Sequence, residues 1–133
     1  MISKTYESIS KREFYYKFFE LYNVLQNNHK LKLTDRQIDF LAEFMSLDNS
    51  YKFTRFKNLG KKQVISNYKE KGEDISVQNL DATLHALKKK GVLIEQTDGV
   101  KYLNPKLEKF IDSDNKSFEF IFKFNNIVWV EVY

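Results

Sequence analysis

The chain contains no cysteine, so neither a disulfide framework nor a thiolate metal site can be built from it. Its two histidines, His29 and His85, stand far apart in sequence, and a histidine-rich metal centre is not expected either. No apolar run approaches the roughly 20 residues that span a bilayer. The opening MISKTYESISKREF lacks the apolar centre of a signal peptide. A cytoplasmic protein with no membrane partner is therefore expected. Glycine is scarce too: Gly60, Gly72, Gly91 and Gly99 each fit a helix end or a turn, which leaves no phosphate-cradling loop. No nucleophile stands near a histidine at a recognisable spacing, and the acidic residues read as caps and solvated faces. The expectation is a non-enzymatic protein without cofactor or metal.

Arginine is scarcer still. Of the 22 basic residues only Arg12, Arg36 and Arg55 are arginines. A composition rich in lysine, asparagine, phenylalanine and tyrosine follows from AT-rich coding without any selection for nucleic acid. The net charge of +4 therefore says less than its distribution. Between positions 51 and 72 seven basic residues face Glu70 alone, whereas 107 to 133 holds three basic and five acidic residues. The first of these segments is the candidate for a phosphate-facing surface.

At 133 residues the chain suffices for one domain with a sizeable core. Three segments are expected: an amphipathic N-terminal helix (1–29), a central domain (30–107) and a C-terminal β-hairpin extension (108–133). Ser10 to Glu13 has the form of a capping box. Phe14, Phe18, Leu21, Tyr22 and Leu25 then make an apolar stripe, widened by Tyr15 and Phe19 and ending near Asn27. This stripe serves either as core or as a dimer contact. Thr34 and Gln37 make a second capping box, with Leu33 and Ile38 placed as a hydrophobic staple. Ile38, Leu41, Ala42 and Met45 form the inward face of that helix, with Phe44 beside it. Residues 51–58 read as a loop or short strand. A further helix runs from about Leu59 to Lys71, turning Val64, Ile65 and Tyr68 inward.

The stretch from Ser76 to Asn104 organises the centre of the chain. Ser76 caps a helix whose Val77, Leu80, Leu84 and Leu87 recur at spacings of three and four. Lys88, Lys89 and Lys90 complement the dipole of its last turn, and Gly91 suits the left-handed position beyond it. Val92 to Ile94 and Val100 to Leu103 read as strands joined by a turn at Thr97-Asp98-Gly99.

Residues 33 to 107 resemble the winged-helix regulators of the MarR type and the RepL-like winged-helix replication initiators of plasmids and phages. The resemblance is carried by Leu33-Thr34, by the run from Leu84 to Leu93 (LHALKKKGVL), and by Gly99 to Pro105 (GVKYLNP). It implies an α+β fold, a winged helix-turn-helix of three core helices and a short β-wing, extended by the N-terminal helix and the C-terminal hairpin. It further implies a DNA-binding transcriptional regulator or replication accessory factor of phage or plasmid type. In such a fold the helix opened by Ser76 lies in the major groove. Ser76, Gln78, Asn79, Ala82 and His85 would then face base edges, where Gln and Asn pair with adenine and Ala touches the thymine methyl. Lys57, Lys61, Lys62, Lys89 and Lys101 would meet phosphates. Asp81 on the same face, and the acidic turn Glu73-Asp74, oppose that polarity.

A second reading keeps the fold but assigns it to protein contacts, as a virion or assembly component of a phage. Phe118, Phe120, Phe122 and Phe124 alternate along one strand, Asn125-Asn126 makes a two-residue turn, and Ile127 to Tyr133 returns. This hairpin needs a covering surface. It packs either on the N-terminal helix or against another chain, with Phe118, Phe120, Phe122, Trp129 and Tyr133 as the partner interface of a homodimer or larger assembly. A third reading stacks single-stranded bases on Tyr51, Phe53 and Phe56.

Overall fold

Thr34 opens the most deeply covered helix of the protein. In the computed structural model its Oγ1 accepts from the Gln37 backbone N–H at 3.1 Å, while Gln37 Oε1 accepts from the Thr34 N–H at 3.0 Å. Both halves of the capping box thus satisfy donors that a helix start leaves open. The structure describes residues 2–5, 10–109, 111–112, 117–124 and 127–132, with side chains for 10–109. Helix α2 (Asp35–Met45) buries Ile38, Leu41, Ala42 and Met45 as the periodicity predicts, and also Phe40, Glu43 and Phe44. It is covered over most of its circumference, more than a single apolar stripe implies.

Helix α1 (Lys11–Leu25) lies along α2 and starts where Ser10 Oγ accepts from the Glu13 N–H at 3.1 Å. Its buried face is Phe14, Tyr15, Phe18 and Phe19, with Leu21, Tyr22 and Leu25 only half-buried. The two residues expected to widen the stripe are therefore at its centre. Asn23 fixes the return of the chain: its side chain donates to the Leu33 carbonyl at 3.0 Å and accepts from the Leu33 N–H at 2.6 Å.

The α1–α2 contact holds a charge that the periodicity does not anticipate. Glu43 is only 4% exposed. Its Oε2 accepts from Arg12 Nε at 2.6 Å and from Lys71 Nζ at 3.0 Å. Arg12 also pairs with Asp39, whose Oδ2 accepts from the Tyr68 hydroxyl at 2.9 Å and from Arg36 at 3.2 Å. Burial, above all, pushes the Tyr68 hydroxyl above the usual tyrosine range, which keeps it a donor to Asp39. Three helices meet in this cluster.

Helix α3 (Asn58–Glu70) follows a 3-10 turn at Asn49–Tyr51 and a run of turns, rather than a strand. It buries Val64 and Tyr68, and Gly60 sits so close to the preceding turn that a Cβ would lie 1.7 Å from the Arg55 carbonyl oxygen. Helix α4 (Val77–Lys89) starts at Ser76, whose Oγ accepts from the Asn79 N–H at 3.1 Å. Leu80, Leu84 and Leu87 are buried as expected, but Val77 is 44% exposed. The register that places Leu80 inward leaves Val77, in the first turn, outward.

Beyond α4, Gly91 takes φ +79°, its N–H bonding the Lys88 carbonyl at 3.0 Å while the Val92 N–H bonds the Leu87 carbonyl at 3.0 Å. This is a Schellman stop, and it aims the chain into β2 (Leu93–Glu95), which pairs antiparallel with β3 (Lys101–Leu103). Asn104 closes the unit: its side chain donates to the Gly91 carbonyl at 2.9 Å and accepts from the Lys106 N–H at 3.0 Å, opening α5 (Pro105–Glu108). Strand β3 stops before Pro105 because the chain turns there into this short helix.

The C-terminal hairpin forms between β5 (Ser117–Phe124) and β6 (Ile127–Val132), antiparallel with Phe124 opposite Ile127. The Asn125-Asn126 turn and Tyr133 lie outside the described residues. The pairing continues in ways the sequence reading lacks. Strand β1 (Ile2–Thr5) runs parallel to β6, with Ile2 opposite Trp129, and β4 (Ile111–Asp112) pairs with β5, giving the order β1-β6-β5-β4. The chain is thus mixed α and β, and residues 2–5 belong to a sheet rather than to the N-terminal helical segment. No helix among the described residues is long and apolar enough to cross a membrane.

Two substitutions test this packing. Arg12→Met strands Glu43 beside Lys71 alone and is expected to lower stability by about 3 kcal/mol, with Arg12→Lys restoring less than half, because an ammonium cannot span both carboxylates. Gly60→Ala should cost about 3 kcal/mol, against about 1 kcal/mol for Gly91→Ala, where the penalty is conformational only. Urea unfolding of the purified variants measures each.

Candidate nucleic-acid interface

Once Leu80, Leu84 and Leu87 face the core, the opposite side of α4 is set by the helical repeat. Ser76, Gln78, Asn79, Asp81, Ala82 and His85 are all exposed, as the sequence predicts, and Val77 joins them. The Ser76 hydroxyl oxygen is occupied in capping, so its role is to start the helix; its proton is left to donate outward.

The expected phosphate-binding lysines divide into two groups. Lys57, Lys62 and Lys89 are exposed and make no ion pair among the described residues. Lys61 is half-buried, with its Nζ 2.6 Å from Asp81 Oδ1. This pair crosses from α3 to α4 and neutralises the carboxylate that opposed an anionic partner. Lys101 is half-buried on β3, with its Nζ 3.7 Å from Glu95, which also pairs with Lys88. The acidic turn after α3 is offset likewise, because Glu73 pairs with Arg36, whose guanidinium lies 4.3 Å from the Phe40 ring centroid. The outward face of α4 and the start of α3 thus carry cations that no neighbouring carboxylate cancels.

No family model matches the chain, and neither a curated protein nor a solved structure does. The functional reading rests on the chain's own geometry.

The three aromatics considered for base stacking do not form a platform. Tyr51 is half-buried with its hydroxyl donating to Gln63 Oε1 at 3.1 Å, and Phe56 is buried against Phe44 at 5.3 Å between ring centroids. Phe53 alone of the three presents its ring to solvent, at 72% exposure. Of the expected partner-interface residues, Phe118, Phe120, Phe122 and Trp129 fall on β5 and β6.

The Lys88–Glu95–Lys101 group also couples α4 to the β2–β3 hairpin. The hydrogen bond from Lys88, then its charge and that of Lys101, hold the Glu95 carboxyl below the ordinary glutamate range. The folded chain gives up this proton more readily than the unfolded one. The contribution is therefore complete above the ordinary glutamate pKa of about 4.3 and is lost as pH falls through the lower folded value. Carboxyl-detected NMR titration should place Glu95 below the other exposed glutamates, and Lys88→Gln should return it toward them.

Proposed function

We propose that this chain is a winged-helix protein that binds double-stranded DNA, with α2, α3 and α4 as the three-helix core and the β2–β3 hairpin as the wing. One observation carries the reading: the outward face of α4 offers Gln78, Asn79, Ala82 and His85 together, with Asp81 already neutralised by Lys61 and with Lys57, Lys62 and Lys89 unpaired nearby. Amide side chains and a small apolar residue suit A·T-rich base edges. The unpaired lysines supply the phosphate contacts that set orientation and give binding its salt dependence. Lys61 and Lys101 join them only by exchanging Asp81 and Glu95 for phosphate. Regulation of transcription or of replication initiation is the role that fits such a domain.

A second reading, a homodimer or larger protein assembly, has its own support in the C-terminal sheet. Strand β4 pairs with β5 only at Ser117 and Phe118, so among the described residues the outer edge of β5 from Glu119 to Phe124 has no strand beside it. An open edge of this length accepts a strand from another chain. In that assembly α1 stays in the core of its own chain, where Phe14, Phe18 and Phe19 are buried.

Fluorescence anisotropy with mixed-sequence duplex DNA decides between these. DNA binding predicts micromolar affinity at about 50 mM salt that weakens tenfold or more at about 200 mM. Lys57→Glu with Lys62→Glu should abolish it, whereas Asp81→Asn, which frees Lys61, should tighten it and steepen the salt dependence. No binding at either salt would contradict the reading and turn the search to protein partners of β5.

A further inference from the structure

Among the described residues the sheet β1-β6-β5-β4 is open along both of its long sides. On one side lies β1, four residues long and carrying Lys4. On the other, β4 covers β5 only at Ser117 and Phe118, so Glu119 to Phe124 forms a six-residue edge. Short length, proline and lysine are common protections of an exposed edge. This edge contains neither proline nor glycine, and its one lysine is Lys123.

The register shows which charges of the sheet stand opposite one another. Lys4 of β1 is opposite Glu131 of β6. Glu119 and Lys123 of β5 are opposite Val132 and Val128, so neither has an opposite charge directly across its own hairpin. Both share a face of the sheet with Ile121, because positions two apart on a strand point the same way. Phe118, Phe120, Phe122 and Phe124 fall on the other face. Reading outward from Ile121 in either direction gives phenylalanine, a charged residue, then phenylalanine. The charge is acidic on one side and basic on the other.

A two-fold axis perpendicular to the sheet pairs an edge strand antiparallel with its own copy. It must pass through a residue, since directly opposed residues share a face. Within the edge, only axes at Ile121 and at Phe122 pair five of the six residues. With the axis at Phe122, Lys123 falls opposite Ile121 of the second copy and Glu119 has no opposite within the edge. With the axis at Ile121, Glu119 falls opposite Lys123 of the second copy, and Lys123 opposite Glu119 of that copy. Phe120 and Phe122 are matched in the same way, and Ile121 meets itself. Opposite charges and aromatic pairs at directly opposed positions are what stabilise an antiparallel ladder.

We propose that the outer edge of β5 pairs with itself in a second copy of this chain, antiparallel and two-fold symmetric about Ile121. The two sheets join into one, and the new ladder ends where β4 holds Ser117 and Phe118 of each chain. Pairing satisfies the open backbone donors and acceptors of both edges. The contact is isologous and closes on itself, so it builds a dimer and not a filament. The proposal rests on the second functional reading, assembly through the C-terminal sheet, and adds the partner and the register.

Sedimentation equilibrium of the full chain at about 100 μM and about 50 mM salt tests it. The unaltered chain should be a dimer. Glu119→Lys sets lysine against lysine twice in the ladder, and Lys123→Glu sets glutamate against glutamate. Each change alone should weaken dimerisation about tenfold or more. Mixed in equal amounts, the two variants should form a one-to-one heterodimer, because every charge again meets its opposite. The chain carrying both changes should dimerise like the unaltered one, which separates lost pairing from misfolding of either single variant. A monomeric unaltered chain overturns both the proposal and the assembly reading beneath it. Single variants that dimerise undiminished, folded variants that ignore each other on mixing, a monomeric double variant or an assembly larger than two overturn the self-pairing alone.

Discussion

A carboxylate on a helix covered from most sides cannot be desolvated alone, and Glu43 on α2 is such a group. Its burial requires cations from two other elements, Arg12 from α1 and Lys71 from the end of α3. Arg12 meets the requirement for two acids at once, because Nε and Nη2 point to Glu43 and Asp39 respectively. Tyr68 and Arg36 complete the shell of Asp39. Among the described residues no buried side-chain polar atom is left without a partner. A satisfied network of this kind admits few alternative arrangements. The apolar contacts of Phe18, Phe19, Leu41 and Phe44 bring α1 and α2 together, and the charges determine how far along each other the helices sit.

That constraint reaches the surface proposed for DNA through α3. Lys71 and Tyr68 anchor the C-terminal end of α3 to α2, while Gly60 lets the turn at Arg55 press on its other end. Helix α4 is then positioned by Leu80, Leu84 and Leu87 against the core and by the Lys61–Asp81 pair against α3. The same pair cancels the one acid on the outward face of α4. The β2–β3 hairpin inherits its direction from the Schellman stop at Gly91 and its clamp from Asn104. The position of the candidate interface thus follows from contacts made on its far side, and its charge from the Lys61–Asp81 pair at the face itself.

The parts of this arrangement legible in sequence are those whose causes lie within a few residues. The caps at Thr34 and Ser76, the stop at Gly91, the hairpin after it and the outward face of α4 are all local. The misplacement of Val77 marks the limit of periodicity, which gives spacing but not where along a helix burial begins. Glu43 read as one more solvated acid because its partners stand 31 residues before it and 28 after it. Lys61 read as a phosphate ligand because Asp81 is its neighbour only after α3 and α4 pack. The parallel pairing of residues 2–5 with the strand ending at 132 joins opposite ends of the chain, and no local pattern announces it.

The most direct test of the central claim, that the outward face of α4 meets duplex DNA, is an amide NMR titration of the labelled chain with a short A·T-rich duplex. The account predicts shift changes concentrated at residues 76–85, with a second group at 57–62 around the start of α3. Changes confined to other surfaces, or none at duplex excess, would contradict it.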